Sequence, residues 1–261
     1  TYCVGLKLNA GLVLLSDTRT NAGLDNIACY RKMFFFEEPG ERAIVVMTAG
    51  SLSVTQTTLA RLSEAIHDEM ADETTSIMKA QTMLQVATII GDTLNRTRRE
   101  IAEQTRDLEQ QASASMILAG QRRGGEMRLF LIYPEGNFIE ATEDTPFLQI
   151  GEHKYGKPIL DRALRYNTSM QTALKLAYLS FDSTRFSSAD VGFPIDMVTM
   201  TNGDGNWRQT QYDYDDLVDQ RQWWNRNLTD LAQRMPDGPW IDKLMPAAQP
   251  TLAVVGGEDR E

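Results

Sequence analysis

The sequence predicts an α+β protein in which antiparallel sheets stack face to face and helices cover their outer faces. Its segments follow the order strands, two helices, strands, two helices, strands and a last helix, unlike the strict alternation of a parallel α/β sheet. The length of 261 residues, of which 42% are hydrophobic, allows one domain to bury a large core. We therefore expect a single domain over residues 1–261, in which residues 235–261 form a C-terminal extension.

Strands are predicted throughout the first 50 residues, because apolar residues there alternate or run in short blocks between turn residues. Val4, Leu6 and Leu8 alternate, and a turn at residues 9–11 leads into a block of four apolar residues. The predicted strands cover residues 4–8, 12–15, 33–36 and 43–48.

Two helices are predicted within residues 51–109, where apolar residues recur at spacings of three and four. The second is expected to place Ile77, Leu84 and Leu94 on one apolar face. The later segments are strands near 113–120, 127–133, 137–142, 195–201 and 207–212, and helices near 156–166, 169–181 and around Trp224.

Composition and charge exclude several functional classes. The formal net charge of −10 disfavours nucleic acid or an anionic membrane as the main partner. Two cysteines rule out a disulfide framework, and two histidines are too few for most histidine-rich metal sites. The N-terminus shows no signal-peptide pattern, and no apolar run approaches the ~20 residues of a membrane span. We expect a cytoplasmic protein that needs no metal and no organic cofactor.

Thr1 is the strongest candidate for catalytic chemistry. A threonine hydroxyl is a poor nucleophile that needs a base, and a free α-amino group has an ordinary pKa of about 7.7–8.0. Such an amine is substantially neutral at pH 7 and lies beside its own hydroxyl. A nearby lysine would favour the neutral amine, and a carboxylate would hold that lysine charged. Lys32 opens a predicted strand and Asp17 ends one, so both are candidates for these roles.

Other motifs lead to weaker hypotheses. Residues 151–157 match the G-x-x-x-x-G-K pattern of a phosphate-binding loop, but Pro158 replaces the Ser or Thr that holds Mg²⁺. Pro158 is equally well explained as the first residue of a helix. His153 is either a general acid–base group or a polar loop residue. We interpret Cys3 and Cys29 as buried structural thiols.

Several stretches resemble proteasome core β subunits and the related bacterial HslV-type protease. The stretches that resemble the start of these proteins are residues 1–7, residues 11–19 with Asp17-Thr18-Arg19, and Arg31-Lys32-Met33. Met47-Thr48-Ala49-Gly50-Ser51 resembles the Ala-Gly-Gly-type turn that enters the first helix of the family. The stretches most similar to the bacterial proteasome-like group called Anbu are residues 150–162, 180–184 and 194–196. The resemblance covers nearly the whole chain and implies the four-layer αββα sandwich of N-terminal-nucleophile hydrolases.

The resemblance implies a role for each matching residue. Thr1 Oγ would be the nucleophile with its own α-amine as base, Lys32 would lower the pKa of Thr1, and Asp17 would pair with Lys32. The backbone N–H of Ala49, aided by Gly50, would form the oxyanion hole, where a single donor is worth roughly 3–4 kcal/mol. The residues that match the family's specificity pocket are Thr20, Met47 and Ser51.

The chain departs from the family where supporting residues are expected. Gly151-Glu152-His153 stands where proteasome β subunits have a Gly-Ser-Gly that supports the amine, so Glu152 or His153 would have to substitute for the serine. The family's later Asp…Ser pair would fall at Asp182 with Ser187 or Ser188, or at Asp190. Arg19 completes the motif that begins at Asp17.

These observations predict a threonine-type peptidase or amide hydrolase of a proteasome-like complex. The family implies that the chain assembles with itself into a ring or ring-like oligomer and acts on a peptide or protein substrate. Two alternatives remain open, namely a proteasome-fold scaffold without general proteolysis and a specialised amidase or transpeptidase that uses Thr1. The sequence offers no basis for naming an ATPase partner.

Overall fold

The structure is a computed structural model that describes residues 1–21, 27–105, 112–203 and 205–244. The side chains of residues 20, 21, 27 and 28 are outside this description. The chain divides into two compact units, Thr1–Leu217 and Val218–Glu261. The first unit contains all the strands of the described chain.

The elements of the described chain are numbered in chain order. The strands are β1 (Tyr2–Leu8), β2 (Gly11–Asp17), β3 (Arg19–Asn21), β4 (Ile27–Cys29), β5 (Met33–Glu38), β6 (Arg42–Gly50), β7 (Ala114–Arg122), β8 (Arg128–Ile132), β9 (Phe138–Glu140), β10 (Phe147–Gly151), β11 (Ile195–Thr201) and β12 (Arg208–Tyr212). The helices are α1 (Leu52–His67), α2 (Met83–Gln104), α3 (Lys157–Ala163), α4 (Met170–Ser187), α5 (Val218–Gln233) and α6 (Gly238–Asp242).

The first unit is a four-layer sandwich, as the sequence predicts. Its first sheet has the strand order β10-β1-β2-β11-β12 and its second sheet the order β5-β6-β7-β8-β9, and the neighbouring strands pair antiparallel. Met47 and Leu129 belong to the core between the two sheets. A second core, with Ile90 and Phe130, lies between the second sheet and α1–α2. A third, with Phe181, lies between the first sheet and α3–α4.

The boundaries of the helices within residues 51–109 differ from the prediction. Turns separate α1 from α2, so Ile77 lies outside both helices although its side chain is buried. A capping box begins α2, because the Thr82 side chain accepts from the Gln85 N–H and the Gln85 side chain accepts from the Thr82 N–H. Leu84 is 47% exposed and does not belong to the buried face of α2, contrary to the prediction.

The second unit is described as far as residue 244 and contains α5 and α6. The predicted last helix is present as α5, which carries Trp224. Over the described ranges, no helix combines the length and the apolar character that crossing a bilayer requires.

Gly91 provides a test of the packing between α2 and the β8–β9 turn. A Cβ at Gly91 would overlap the carbonyl oxygen of Gly136, whose own φ of +89° restricts how the turn moves. Gly91→Ala would add about 1 kcal/mol of helix propensity in an open helix. We expect instead a net destabilisation of about 1–3 kcal/mol from overpacking, measured by chemical denaturation.

The matched control is Thr88→Ala, at an exposed position on the same helix. This variant should change the free energy of unfolding by less than about 0.5 kcal/mol. A Gly91→Ala variant as stable as its parent would contradict the close contact between α2 and the β8–β9 turn.

Candidate active site

The N-terminus lies where three strands of the first sheet meet. β2 ends at Asp17 beside the start of β1, and β10 ends at Gly151, which is matched with Tyr2 across the sheet. The register therefore brings Thr1 beside residues that are distant from it in the sequence.

Asp17 and Lys32 form a buried ion pair at this end of the sandwich. Lys32 Nζ lies 2.7 Å from Asp17 Oδ1, and the two side chains are 7% and 0% exposed. Lys32 also donates a hydrogen bond to the Arg19 carbonyl oxygen. Asp17 Oδ1 accepts a second hydrogen bond, of 2.8 Å, from the Tyr2 N–H. One carboxylate oxygen thus connects the first residues of β1, the end of β2 and the segment that enters β5.

Backbone groups hold Thr1 from two sides. Its α-amino group donates to the Asp190 carbonyl oxygen at 3.0 Å, and its own carbonyl oxygen accepts from the Glu152 N–H at 2.8 Å. The second contact requires glycine at position 151, where φ is +81° and a Cβ would overlap the Thr1 carbonyl. Among the described residues, the Thr1 amine is therefore bound by a backbone carbonyl, that of Asp190.

The loop that contains Asp190 rests on Arg19. Arg19 Nη1 donates to the Ala189 carbonyl oxygen at 3.1 Å. Gly192 lies directly against the Arg19 side chain, because a Cβ there would stand 3.1 Å from Arg19 Cδ, Nε and Nη1. Val191, between Asp190 and Gly192, is fully buried. Arg19 therefore contributes its carbonyl to Lys32 and its guanidinium to the loop that meets the amine.

Glu152 or His153 was expected to replace the serine that supports the Thr1 amine, but the contacts of both residues in the structure are different. Glu152 meets Thr1 through its backbone N–H. His153 Nδ1 lies 3.1 Å from the Gly151 carbonyl oxygen, so the exposed imidazole contacts its own loop. The residue that accepts from the amine is Asp190, one of the positions considered for the family's Asp…Ser pair.

Asp182 and Ser188 belong to α4 and its end. Asp182 is buried and pairs with Arg185, one turn further along α4, at 2.7 Å. Ser188 ends the helix, and its N–H donates to the Thr184 carbonyl. The contacts shown for these two residues are thus local to α4 and its end.

Thr1 and Lys32 line one cavity of about 320 Å³. Phe34, Leu52 and Leu59 supply apolar wall, which suits an apolar side chain of medium or large size. The other lining residues are Tyr30, Arg31, Thr48, Ala49, Gly50, Thr55 and Gln56.

Two of the three predicted pocket residues, Met47 and Ser51, are not among the described residues that line the cavity. Met47 is fully buried in the core between the sheets, and Thr48 lines the cavity instead, because successive residues of a strand face opposite sides. Ser51 precedes α1, and its hydroxyl pairs with Ser53 at 3.0 Å. Thr20 has its backbone in β3, and its side chain lies outside the described residues. The alternation of side chains along β6 is the sequence signal that could have identified Thr48 as a cavity residue.

The backbone of β6 distinguishes Ala49 from Gly50 as an oxyanion-hole donor. The Thr48 N–H donates toward β5, to Lys32, and the Ser51 N–H donates toward β7, to Ser113. Alternate N–H groups of a strand point to opposite sides, so Ala49 directs its N–H toward β7 and Gly50 directs its own toward the β5 side. Pairing with β5 ends at Met47, which leaves Gly50 beyond it. The geometry favours Gly50 over Ala49, in contrast to the expectation from sequence.

The G-x-x-x-x-G-K stretch is explained by packing. β10 belongs to an antiparallel sheet, and Gly156 precedes α3, where a Cβ would overlap Ser180. Lys157 pairs with Asp161 at 2.6 Å. As for metals, the residues that the structure describes contain no group of three His, Cys, Asp or Glu placed to hold an ion.

The stacked antiparallel sheets, with an N-terminal threonine beside a buried aspartate–lysine pair, define a class of protein. A family model described as proteasome subunit matches residues 1–200. The chain belongs to the proteasome subunit family.

Within that family, the chain is similar to solved structures of Anbu (ancestral beta-subunit) proteins. The Yersinia bercovieri protein is 38% identical, with 90% of this chain and 98% of that chain covered and a TM-score of 0.81. The Hyphomicrobium sp. strain MC1 protein is 41% identical, with the same coverages and TM-score. A helical assembly of the Anbu complex from Pseudomonas aeruginosa is 40% identical, with coverages of 92% and 98% and a TM-score of 0.83. A comparison with curated proteins finds no match.

The two thiols differ in environment. Cys3 is fully buried, and its Sγ donates to the Thr48 carbonyl oxygen at 3.7 Å. Burial, and secondarily the negative charge of Asp17, raises the pKa of the Cys3 thiol to about 12. Cys29 is exposed, so its interpretation as a buried thiol is wrong.

This contrast predicts selective alkylation. Because the thiolate is the reactive form, Cys3 should stay unmodified by iodoacetamide at about pH 8 while Cys29 reacts. Intact mass should show one label on each native chain and two labels after unfolding. Cys29→Ser should remove the native label entirely. A second label on the native protein would contradict the closed environment of Cys3.

Proposed function

We propose that the chain is an N-terminal threonine hydrolase that cleaves amide bonds, with Thr1 Oγ as nucleophile and the Thr1 α-amine as general base. The observation that carries this proposal is the Asp17–Lys32 pair at the cavity that Thr1 lines. A buried ion pair contributes little to stability, because its desolvation offsets the attraction between the charges. Because stability alone does not account for such a pair, its place at a cavity makes it a candidate for a functional role.

The reaction begins when the hydroxyl attacks the carbonyl carbon of the scissile amide. The α-amine accepts the hydroxyl proton and then delivers it to the leaving nitrogen, so that the C–N bond breaks and an ester forms on Thr1. Water next attacks the ester with the amine again as base, which releases the acid and restores Thr1. The positive charge of Lys32 favours the ionised hydroxyl, and Asp17 keeps Lys32 oriented.

The backbone supplies the remaining chemistry. The Gly50 N–H is the donor that we assign to the oxyanion, on the basis of its direction in β6. The hydrogen bond from the amine to the Asp190 carbonyl orients the amine next to its own hydroxyl. A glycine is required at position 50, where φ is +112° and a Cβ would overlap the Ser113 carbonyl.

The cavity and the relatives support two further parts of the proposal. Apolar wall at Phe34, Leu52 and Leu59 favours peptides with an apolar side chain on the residue whose carbonyl is attacked. The Pseudomonas aeruginosa relative is described as a helical assembly, which supports self-association of this chain as well. We propose that it works as such an oligomer in the cytoplasm.

Reaction with a Thr1-directed electrophile tests the proposal. A β-lactone or an epoxyketone with an apolar side chain should add one inhibitor mass per chain, located on Thr1 by peptide mapping. Thr1→Ala should abolish the adduct and Thr1→Ser should keep it, because a serine hydroxyl offers the same chemistry. N-terminal sequencing of the same sample establishes that Thr1 is the first residue.

Thr88→Ala is the matched control, since it removes a distant exposed threonine hydroxyl and should label as the parent does. Failure to form any adduct on a chain that begins with Thr1 would favour a proteasome-fold scaffold without proteolysis. An adduct without cleavage of casein or short fluorogenic peptides would favour a specialised amidase or transpeptidase. Labelling that persists in Thr1→Ala would overturn the choice of nucleophile.

A further inference from the structure

Tyr2, the residue after Thr1, is fully buried in the core between the first sheet and α3–α4. Its ring is tilted against Phe181 of α4, with ring centroids 6.1 Å apart. Burial raises the pKa of the Tyr2 phenol well above its usual range, so the hydroxyl stays neutral. A neutral, buried hydroxyl needs hydrogen-bond partners inside the protein.

The Tyr2 hydroxyl finds two such partners on different elements. It shares a hydrogen bond of 2.6 Å with Ser180 Oγ on α4 and accepts one of 3.0 Å from Gln149 Nε2 on β10. Gln149 Nε2 also lies 3.4 Å from Ser180 Oγ, which closes the network. Gly156 allows this arrangement, since a Cβ there would overlap both Ser180 oxygens. The phenol is therefore anchored to both α4 and β10.

The backbone of Tyr2 contacts the groups to which the proposed function assigns catalytic roles. The Tyr2 N–H donates at 2.8 Å to Asp17 Oδ1, the oxygen that also accepts from Lys32. That N–H belongs to the peptide bond whose carbonyl is contributed by Thr1 and accepts from the Glu152 N–H. A shift of the ring along its axis would move this peptide plane, and with it the Thr1 amine and hydroxyl.

We propose that Tyr2 is a positioning residue, whose hydroxyl locks the Thr1–Tyr2 peptide against the Asp17–Lys32 pair. The proposal rests on the proposed role of Thr1 as nucleophile. A phenylalanine would fill nearly the same volume but would leave Ser180 and Gln149 without the partner between them. Misplacement of a reacting group by about 1 Å costs on the order of a hundred-fold in rate, so a smaller displacement has a measurable effect.

Tyr2→Phe tests this role through the kinetics of β-lactone labelling. We expect the maximal labelling rate constant to fall by about ten-fold or more, because Thr1 is displaced. The inhibitor concentration at half-maximal rate should stay unchanged, because other residues form the cavity wall. Ser180→Ala removes the same hydrogen bond from the opposite side, and the double variant should lose no more than either single variant.

Tyr178→Phe is the matched control, because it removes a buried tyrosine hydroxyl from the same core at a residue of α4. It should label at the parent rate, and its melting temperature shows what the loss of one hydroxyl does to stability alone. Equal loss of rate in Tyr178→Phe and Tyr2→Phe, or no loss in Tyr2→Phe, would overturn the positioning role.

A second measurement decides the proposal even if the parent chain forms no adduct, the result that would contradict the proposed function. The Thr1 amine, held by the Asp190 carbonyl, should be acetylated slowly by a dilute N-hydroxysuccinimide ester at about pH 7. Tyr2→Phe should raise this rate several-fold, as measured on the N-terminal peptide, and Tyr178→Phe should not. Unchanged amine reactivity in Tyr2→Phe would sink the proposal.

Discussion

A single carboxylate oxygen organises the site end of the sandwich. Asp17 Oδ1 accepts from the Tyr2 N–H and from Lys32 Nζ, and it does so without exposure to solvent. Because an unpaired charge in such a place would cost several kcal/mol, β1, β2 and the entry to β5 are held together wherever the fold is intact. β5 belongs to the second sheet and β1 and β2 to the first. The ion pair therefore links the two sheets at the point where the N-terminus emerges.

Apart from this ion pair, main-chain groups supply the hydrogen bonds described around Thr1. The amine donates to the Asp190 carbonyl, and the Thr1 carbonyl accepts from the Glu152 N–H. Alternation along β6 directs the Gly50 N–H away from β7. Backbone contacts of this kind depend on conformation, which glycines at positions 50 and 151 make accessible. At Gly151-Glu152-His153, the support that the structure shows for Thr1 comes from the backbone N–H of Glu152.

Errors in the sequence-based predictions share one cause, which is that the contacts responsible are not local. Leu84 fits a helical period as well as its neighbours do, yet the face of α2 that packs on the second sheet is the one that carries Val86, Ile90 and Leu94, and Leu84 lies exposed outside it. Met47 and Thr48 are adjacent, and only the stacking of the two sheets makes one of them core and the other cavity wall. The Gly50 N–H faces the side on which pairing with β5 has stopped, because that pairing ends at Met47 while β7 continues beside β6 to Gly50.

Periodicity and block order were sufficient for the class of fold, because burial imposes a period of two on strands and a longer one on helices wherever a core exists. The motif of Thr1, Asp17 and Lys32 could likewise be found in the sequence, because few residue types can act as a nucleophile, a nearby cation and its carboxylate partner. Register and loop contacts were decided only by the tertiary structure. The Asp190 carbonyl, the Gly50 N–H and the Tyr2 hydroxyl are ordinary groups that acquire a role from their position. That position depends on contacts between distant parts of the chain, since 189 positions separate Thr1 from Asp190 and 178 separate Tyr2 from Ser180.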